Sequence, residues 1–193
     1  MRALCEPANL LPHPDSAEAG VLSLRVEICR DAGGALVLDY RLRADMARIR
    51  LPAPGPGGAA DELWRHTCFE GFLAPAGAPD YREFNFSPCS AWAVYDFSAY
   101  RARGADSPAA APVQHWDTGP GGLRLVARLQ PALLPRAGAD GQWQLALAAV
   151  IENRDGGIAW WALRHAAGRP DFHLRANFAL ALPAFATPAG PPP

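Results

Sequence analysis

Residues 21–28 and 35–42 each alternate apolar and polar positions with period two. In the first run Leu22, Leu24, Val26 and Ile28 share a face; in the second Leu36, Leu38, Tyr40 and Leu42 do. That period belongs to a strand with one buried side, since successive side chains point to opposite faces of a sheet. Asp31, Ala32, Gly33 and Gly34 between the runs supply turn chemistry, so the pair reads as a β-hairpin. Residues 47–51 form a short third strand candidate, and the Pro/Gly-rich stretch 52–58 is a loop.

The same kind of signal recurs at 63–73, 81–87, 91–100, 123–129, 142–152 and 158–163, with a closing run at 177–182. An Ala/Pro/Gly-rich segment, 103–122, reads as a long connection, and 131–136 has room for one short turn of helix. No segment carries a sustained 3.6-residue apolar stripe, and no internal repeat of fixed period is found. Roughly eight to ten short strands separated by turn signals predict an all-β domain, either sandwich or barrel, with a two-sheet antiparallel β-sandwich preferred. Residues 20–183 are read as that domain. Residues 1–19 are Pro-rich and aperiodic and read as an irregular lead-in; residues 184–193 read as a Pro-rich, disordered tail. At 193 residues a single domain buries about two-thirds of its unfolded surface, so no metal or disulfide is required to hold it together.

The net charge of −1 gives no bulk field to attract nucleic acid or an anionic membrane. Every basic residue is Arg, which, beside the abundant Ala, Gly and Pro, reflects a GC-rich, bacterial-type coding bias and not phosphate recognition. The four cysteines, Cys5, Cys29, Cys68 and Cys89, form no C-x-x-C pair, and Cys68 and Cys89 lie in apolar strand-like runs. Four free thiols are therefore expected. The N-terminus lacks a secretory pattern and no stretch approaches the ~20 apolar residues of a membrane helix, so a cytoplasmic protein is expected.

Three stretches mix aromatic and ionisable residues. If 63–73 is one strand, Trp64, His66, Cys68, Glu70 and Phe72 share a face. In the next strand Phe84 and Phe86 face the core while Tyr81, Glu83, Asn85 and Ser87 face away from it. The connection 74–80 is short, so the two strands are expected to be hairpin neighbours whose matching faces merge. The third stretch runs through Trp160, Trp161, Arg164 and His165 to the turn holding Arg169, Asp171 and His173. Adjacent tryptophans on a strand point to opposite faces, so one packs in the core and the other is available to solvent. Rings give flat contact and polar groups orient a ligand, a combination that suits a binding surface. A solvated sheet face with a capping aspartate fits the same residues.

Together residues 63–70, 81–88, 161–165 and 170–173 resemble the DOMON-like domains, a group related to the family 9 carbohydrate-binding modules. The resemblance implies a β-sandwich of about ten strands with a site for sugar or haem. For sugar, related modules stack rings on aromatics, and Trp64, Trp92 and Trp161 are available. For haem, members use a Met and a His, whereas this chain has Met1 and Met46 alone, Met46 outside the matching stretches; a bis-His pair would draw on His66, His165 and His173.

The expected function is thus a non-catalytic small-molecule module, with a carbohydrate or similar polar ligand in first place and no cofactor. The expected site comprises Trp64, His66, Glu70, Glu83, Asn85, Trp92, Trp161, His165, Asp171 and His173. A haem or redox module ranks second. An enzyme built on His66, Glu70, Asp171 and His173 ranks third, since no H-E-x-x-H, G-x-S-x-G, P-loop or Gly-rich dinucleotide turn is present. Burial of the aromatics against another subunit is a further alternative.

Overall fold

A computed structural model describes residues 5–104 and 110–183. It contains thirteen strands: β1 (Cys5–Pro12), β2 (Val21–Arg30), β3 (Leu36–Ala44), β4 (Gly58–Ala59), β5 (Cys68–Pro75), β6 (Tyr81–Phe86), β7 (Ala91–Ala99), β8 (Ala102–Arg103), β9 (Val113–Gly119), β10 (Gly122–Leu129), β11 (Gln142–Glu152), β12 (Ile158–Ala162) and β13 (Leu180–Pro183). Among the described residues helix is confined to three short 3-10 turns, none long and apolar enough to cross a membrane.

The β2–β3 hairpin forms as its alternation predicts. Asp31 Oδ1 accepts from the backbone amides of Gly33 and Ala35 at 2.9 and 3.0 Å, and Gly34 takes the positive φ, 82°, that the turn requires. Leu24, Val26, Ile28, Leu36, Leu38, Tyr40 and Leu42 are buried together. Leu22 breaks the pattern at 75 % exposure, because an irregularity between Val21 and Ser23 shifts the register and rotates it outward.

The strands follow the order β4-β7-β6-β5-β11-β12-β1-β2-β3-β10-β9, antiparallel throughout except for the parallel β4–β7 pair. The expected sandwich of two separate sheets is corrected to one curled sheet. The strand that joins its halves is β1: Cys5 to Leu10 pair with β2, then Leu11 and Pro12 pair with β12. This strand lies within the stretch read as an irregular lead-in. Pro7 and Pro12 hide it, since proline is normally a mark against a strand. The curl closes over an apolar core to which β2, β3 and β10 contribute from one side and β5, β6 and β11 from the other. Tyr40 is fully buried there, and its hydroxyl donates to the backbone oxygen of Glu70 at 2.8 Å.

Other expectations change. The run at 63–73 is not one strand: Leu63–Arg65 is a 3-10 turn and β5 starts at Cys68. The connection at 103–122 contains β9, whose Val113 to Gly119 pair with β10. Residues 47–51 make a single bridge, Ile49 to Asn153. The 131–136 turn is present as a 3-10 turn, Pro131–Leu133, with Leu133 buried. Four free thiols become two, because the β1–β2 register sets Cys5 opposite Cys29 and the pair forms a disulfide; Cys68 and Cys89 remain free. The expectation of a disordered tail at 184–193 lies outside the described residues.

All eight residues of β5 are buried, so both of its faces are covered. One face meets the main core. The other carries Phe72 and Ala74, which pack with Tyr81, Ala146, Ala148, Ala162 and Phe178 in a second cluster. The candidate site lies on this second face.

Candidate functional site

Register builds the floor of the site. Across β7, β6, β5, β11 and β12, the pairings set Ala93, Asn85, Glu70, Ala148 and Ala162 in one row. The adjacent row is Tyr95, Glu83, Phe72 and Ala146. Alanines at four of these positions keep the surface low, while larger groups rise around it. The result is a cleft of about 810 Å³ whose lining includes Trp64, Glu70, Glu83, Tyr95, Phe97, Arg101, Arg103, Trp160, Asp171, Phe172 and His173.

Glu70 and Glu83 are 2 % and 4 % exposed. Asn85, wholly buried, donates from Nδ2 to Glu83 Oε1 at 2.6 Å. Glu70 Oε1 is buried without a hydrogen-bond partner among the described residues. Burial, reinforced by the neighbouring Glu83, pushes the Glu70 carboxyl well above the usual carboxylate range. Burial pushes Glu83 up to about 7, against the opposing pull of the Asn85 hydrogen bond and the charges of Arg101 and Arg103.

The wall comes from the turn after β12 and from the β7–β8 connection. Asp171 Oδ1 accepts from the His173 amide and from Arg101 Nη2, both at 3.0 Å, and its Oδ2 accepts from the Tyr100 hydroxyl at 2.5 Å. The Asp171 carboxyl is held below the usual range by these donors despite burial. The Tyr81 hydroxyl accepts from the Arg101 amide at 3.1 Å and lies 2.8 Å from His173 Nδ1. The other ring nitrogen, His173 Nε2, lies 3.9 Å from Glu83 Oε2. Burial and the Arg101 charge hold His173 down at about 4, so the ring is neutral near pH 7. On the opposite wall the Tyr95 hydroxyl donates to Asp61 Oδ1 at 2.7 Å, and the Arg103 guanidinium lies 4.2 Å from the Tyr95 ring centre. Phe97 stacks on Tyr81, with ring centres 4.7 Å apart and planes 6° from parallel.

Glu70, Glu83, Asp171, His173 and Trp64 therefore meet at one cleft, with Asn85 supporting its floor. Trp64 arrives from the 3-10 turn and not from a strand, and is 49 % exposed. The other expected residues go elsewhere. His66 leaves the face with the end of the strand pattern, and its Nδ1 lies 2.9 Å from Glu152 Oε2. Trp92 pairs with Phe86 and so points with it towards the main core. Trp161 is core as well, 9 % exposed. His165 Nε2 bonds the Leu11 backbone oxygen at 2.8 Å and its ring meets His13 edge-on. Met46 packs against the core.

Trp160 is the tryptophan that faces the cleft, one step in alternation from the one expected. Tyr95 and Phe97 were legible as one face of β7, next to the Glu83 row. Arg101 and Arg103 carry no sequence signal, because the tight β7–β8 connection that aims them is seen only in the folded chain. Among the described residues no cluster of three or more His, Cys, Asp or Glu side chains is arranged to hold a metal ion.

No protein-family model and no curated protein matches the chain. Among solved structures it is similar to a putative carbohydrate-binding protein from Bacteroides uniformis, at 16 % identity and a TM-score of 0.59, covering 91 % of this chain and 84 % of that one. It is also similar to a family 9 carbohydrate-binding module from Caldicellulosiruptor kristjanssonii in complex with cellotriose, at 13 % identity and a TM-score of 0.53, covering 84 % of this chain and 74 % of that one. At these identities the likeness is one of fold: the all-β architecture is shared with carbohydrate-binding modules.

Proposed function

We propose that this chain is a non-catalytic carbohydrate-binding module and that the cleft over β5, β6, β7 and β11 is its sugar site. The observation that carries this reading is the pairing of available indole rings, Trp64 and Trp160, with buried hydrogen-bonding groups at the floor, Glu70 and Glu83. Sugars present apolar C–H faces and a rim of hydroxyls, so a site for them needs rings to lie against and fixed donors and acceptors to orient. The shared fold with a module that holds cellotriose supports the same reading.

Titration with cellotriose and a panel of other oligosaccharides, followed by indole fluorescence and calorimetry, tests it. Saturable binding that falls at least about tenfold in Trp64→Ala is expected, in line with the loss of an exposed ring at a binding hot spot. No binding by any neutral or charged oligosaccharide overturns the reading.

A further inference from the structure

We infer that the cleft selects sugars bearing a protonated amine, with the ammonium seated at Glu70 and Glu83; this rests on the reading of the cleft as a carbohydrate site. The charges that line the cleft fall into satisfied and unsatisfied groups. Asp171 is engaged by Tyr100, Arg101 and the His173 amide. Asp61 accepts from Tyr95 and faces Arg103 at 3.5 Å. Glu62 is held by Arg65 at 2.7 Å. Arg101 and Arg103, the cations of the lining, are thus committed to Asp171 and Asp61.

Glu70 and Glu83 are left, both buried and neither in an ion pair with an arginine among the described residues, although the charges of Arg101 and Arg103 are felt at Glu83. Glu70 Oε1 has no hydrogen-bond partner among the described residues. Glu83 Oε1 accepts from the neutral amide of Asn85, and its Oε2 has the His173 ring 3.9 Å away. The Nδ1 of that ring is engaged with the Tyr81 hydroxyl at 2.8 Å, and the ring, neutral near pH 7, offers Glu83 no positive charge.

A buried carboxyl pair of this kind is costly when ionised unless a positive group joins it. A neutral sugar hydroxyl supplies hydrogen bonds but no charge. An ammonium supplies three donors and the missing charge together. The rings of Trp64, Phe97 and Trp160 line the same cleft, and aromatic faces attract cations, as the Arg65 guanidinium 5.2 Å from the Trp64 ring centre illustrates. A uronate or sugar phosphate would add a like charge beside the pair and is disfavoured.

The test is calorimetric titration of the full chain at pH 7 with a glucosamine trisaccharide, its N-acetylated counterpart and cellotriose. The free-amine sugar is expected to bind at least about tenfold tighter than either of the others. The near-isosteric Glu70→Gln and Glu83→Gln, which remove a buried ionisable group and so do not threaten the fold, are each expected to reduce that preference. Cellotriose binding as tight as that of the amine overturns the inference and leaves the carbohydrate reading standing. A preference for the amine that survives in both variants also overturns it. Failure of all three sugars to bind overturns the amine inference, and if the wider oligosaccharide panel is silent too the carbohydrate reading falls with it.

Discussion

His173 Nε2 stands 3.9 Å from Glu83 Oε2, and burial displaces the two groups in opposite senses, the imidazole down to about 4 and the carboxyl up to about 7. Both are therefore neutral over the mildly acidic range. The pair sets opposing pH dependences into the fold.

A raised carboxyl contributes stability that is present below its ordinary value of 4.5 and is lost as pH rises through about 7. Glu70, raised in the same direction, adds to that loss. A depressed imidazole acts the other way: its contribution is present above the ordinary 6.5 and is lost as pH falls towards 4. The Glu83 and His173 shifts each correspond to roughly 3 kcal/mol. The two raised carboxyls, both deeply buried, oppose the depressed imidazoles of His173 and the less buried His165 and outweigh them, so stability is expected to decline as pH rises from 5 to 8. Glu83→Gln flattens the decline and His173→Asn steepens it. Urea denaturation across that range checks the sign; a wild-type protein that grows steadily more stable towards pH 8 contradicts it.

The two neighbouring tryptophans separate binding from folding. Trp160→Ala is expected to weaken sugar binding by about tenfold with the midpoint of unfolding little changed. Trp161→Ala removes a ring from the main core and is expected to cost about 3–5 kcal/mol. Paired denaturation and titration of the two variants read this directly, and reversed behaviour would mean that β12 faces the other way.

Thiol titration of the denatured, unreduced chain is expected to find two thiols, Cys68 and Cys89. The Cys5–Cys29 bridge spans a sequence separation of 24, for which loop-closure entropy predicts about 3 kcal/mol of stabilisation. Cys5→Ser is therefore expected to lower stability by about that amount and to loosen β1, the strand that joins the two halves of the sheet. Four titratable thiols would remove the bridge.

Gly122 approaches β3 so closely that a Cβ there would sit 2.0 Å from the Leu42 backbone oxygen. Backbone cannot give way cheaply, so Gly122→Ala is expected to cost about 1–3 kcal/mol, the usual penalty of overpacking. Denaturant midpoints of the two proteins measure it.

Strand runs were legible wherever one face is apolar and the other polar, as in β2, β3 and β6, because period two maps directly onto the pleat. The same rule placed Glu70, Glu83 and Asn85 on a common side, and the short 74–80 connection made their strands neighbours. It failed at 63–67, where a left-handed Glu62 (φ 58°) and a 3-10 turn replace the strand that the alternation of Trp64, His66 and Cys68 imitates. It missed β1 and β9 as well, although each pairs with the next strand in the chain: Pro7 and Pro12 mark β1 against a strand, and β9 has only Val113 and Trp116 as apolar residues, so neither shows an apolar alternation.

Period two, turn chemistry and the aromatic and acidic content of three stretches thus established from sequence alone an all-β domain with a carboxylate-bearing face. Which tryptophan of the 160–161 pair faces the cleft, which arginines reach it and how deeply the two glutamates are buried were decided by tertiary structure. Alternation says only that two neighbours point apart; which side becomes core depends on the curl of a sheet closed by β1. Burial likewise belongs to the assembled layers, and it is burial that moves Glu70 and Glu83 away from ordinary carboxylate behaviour.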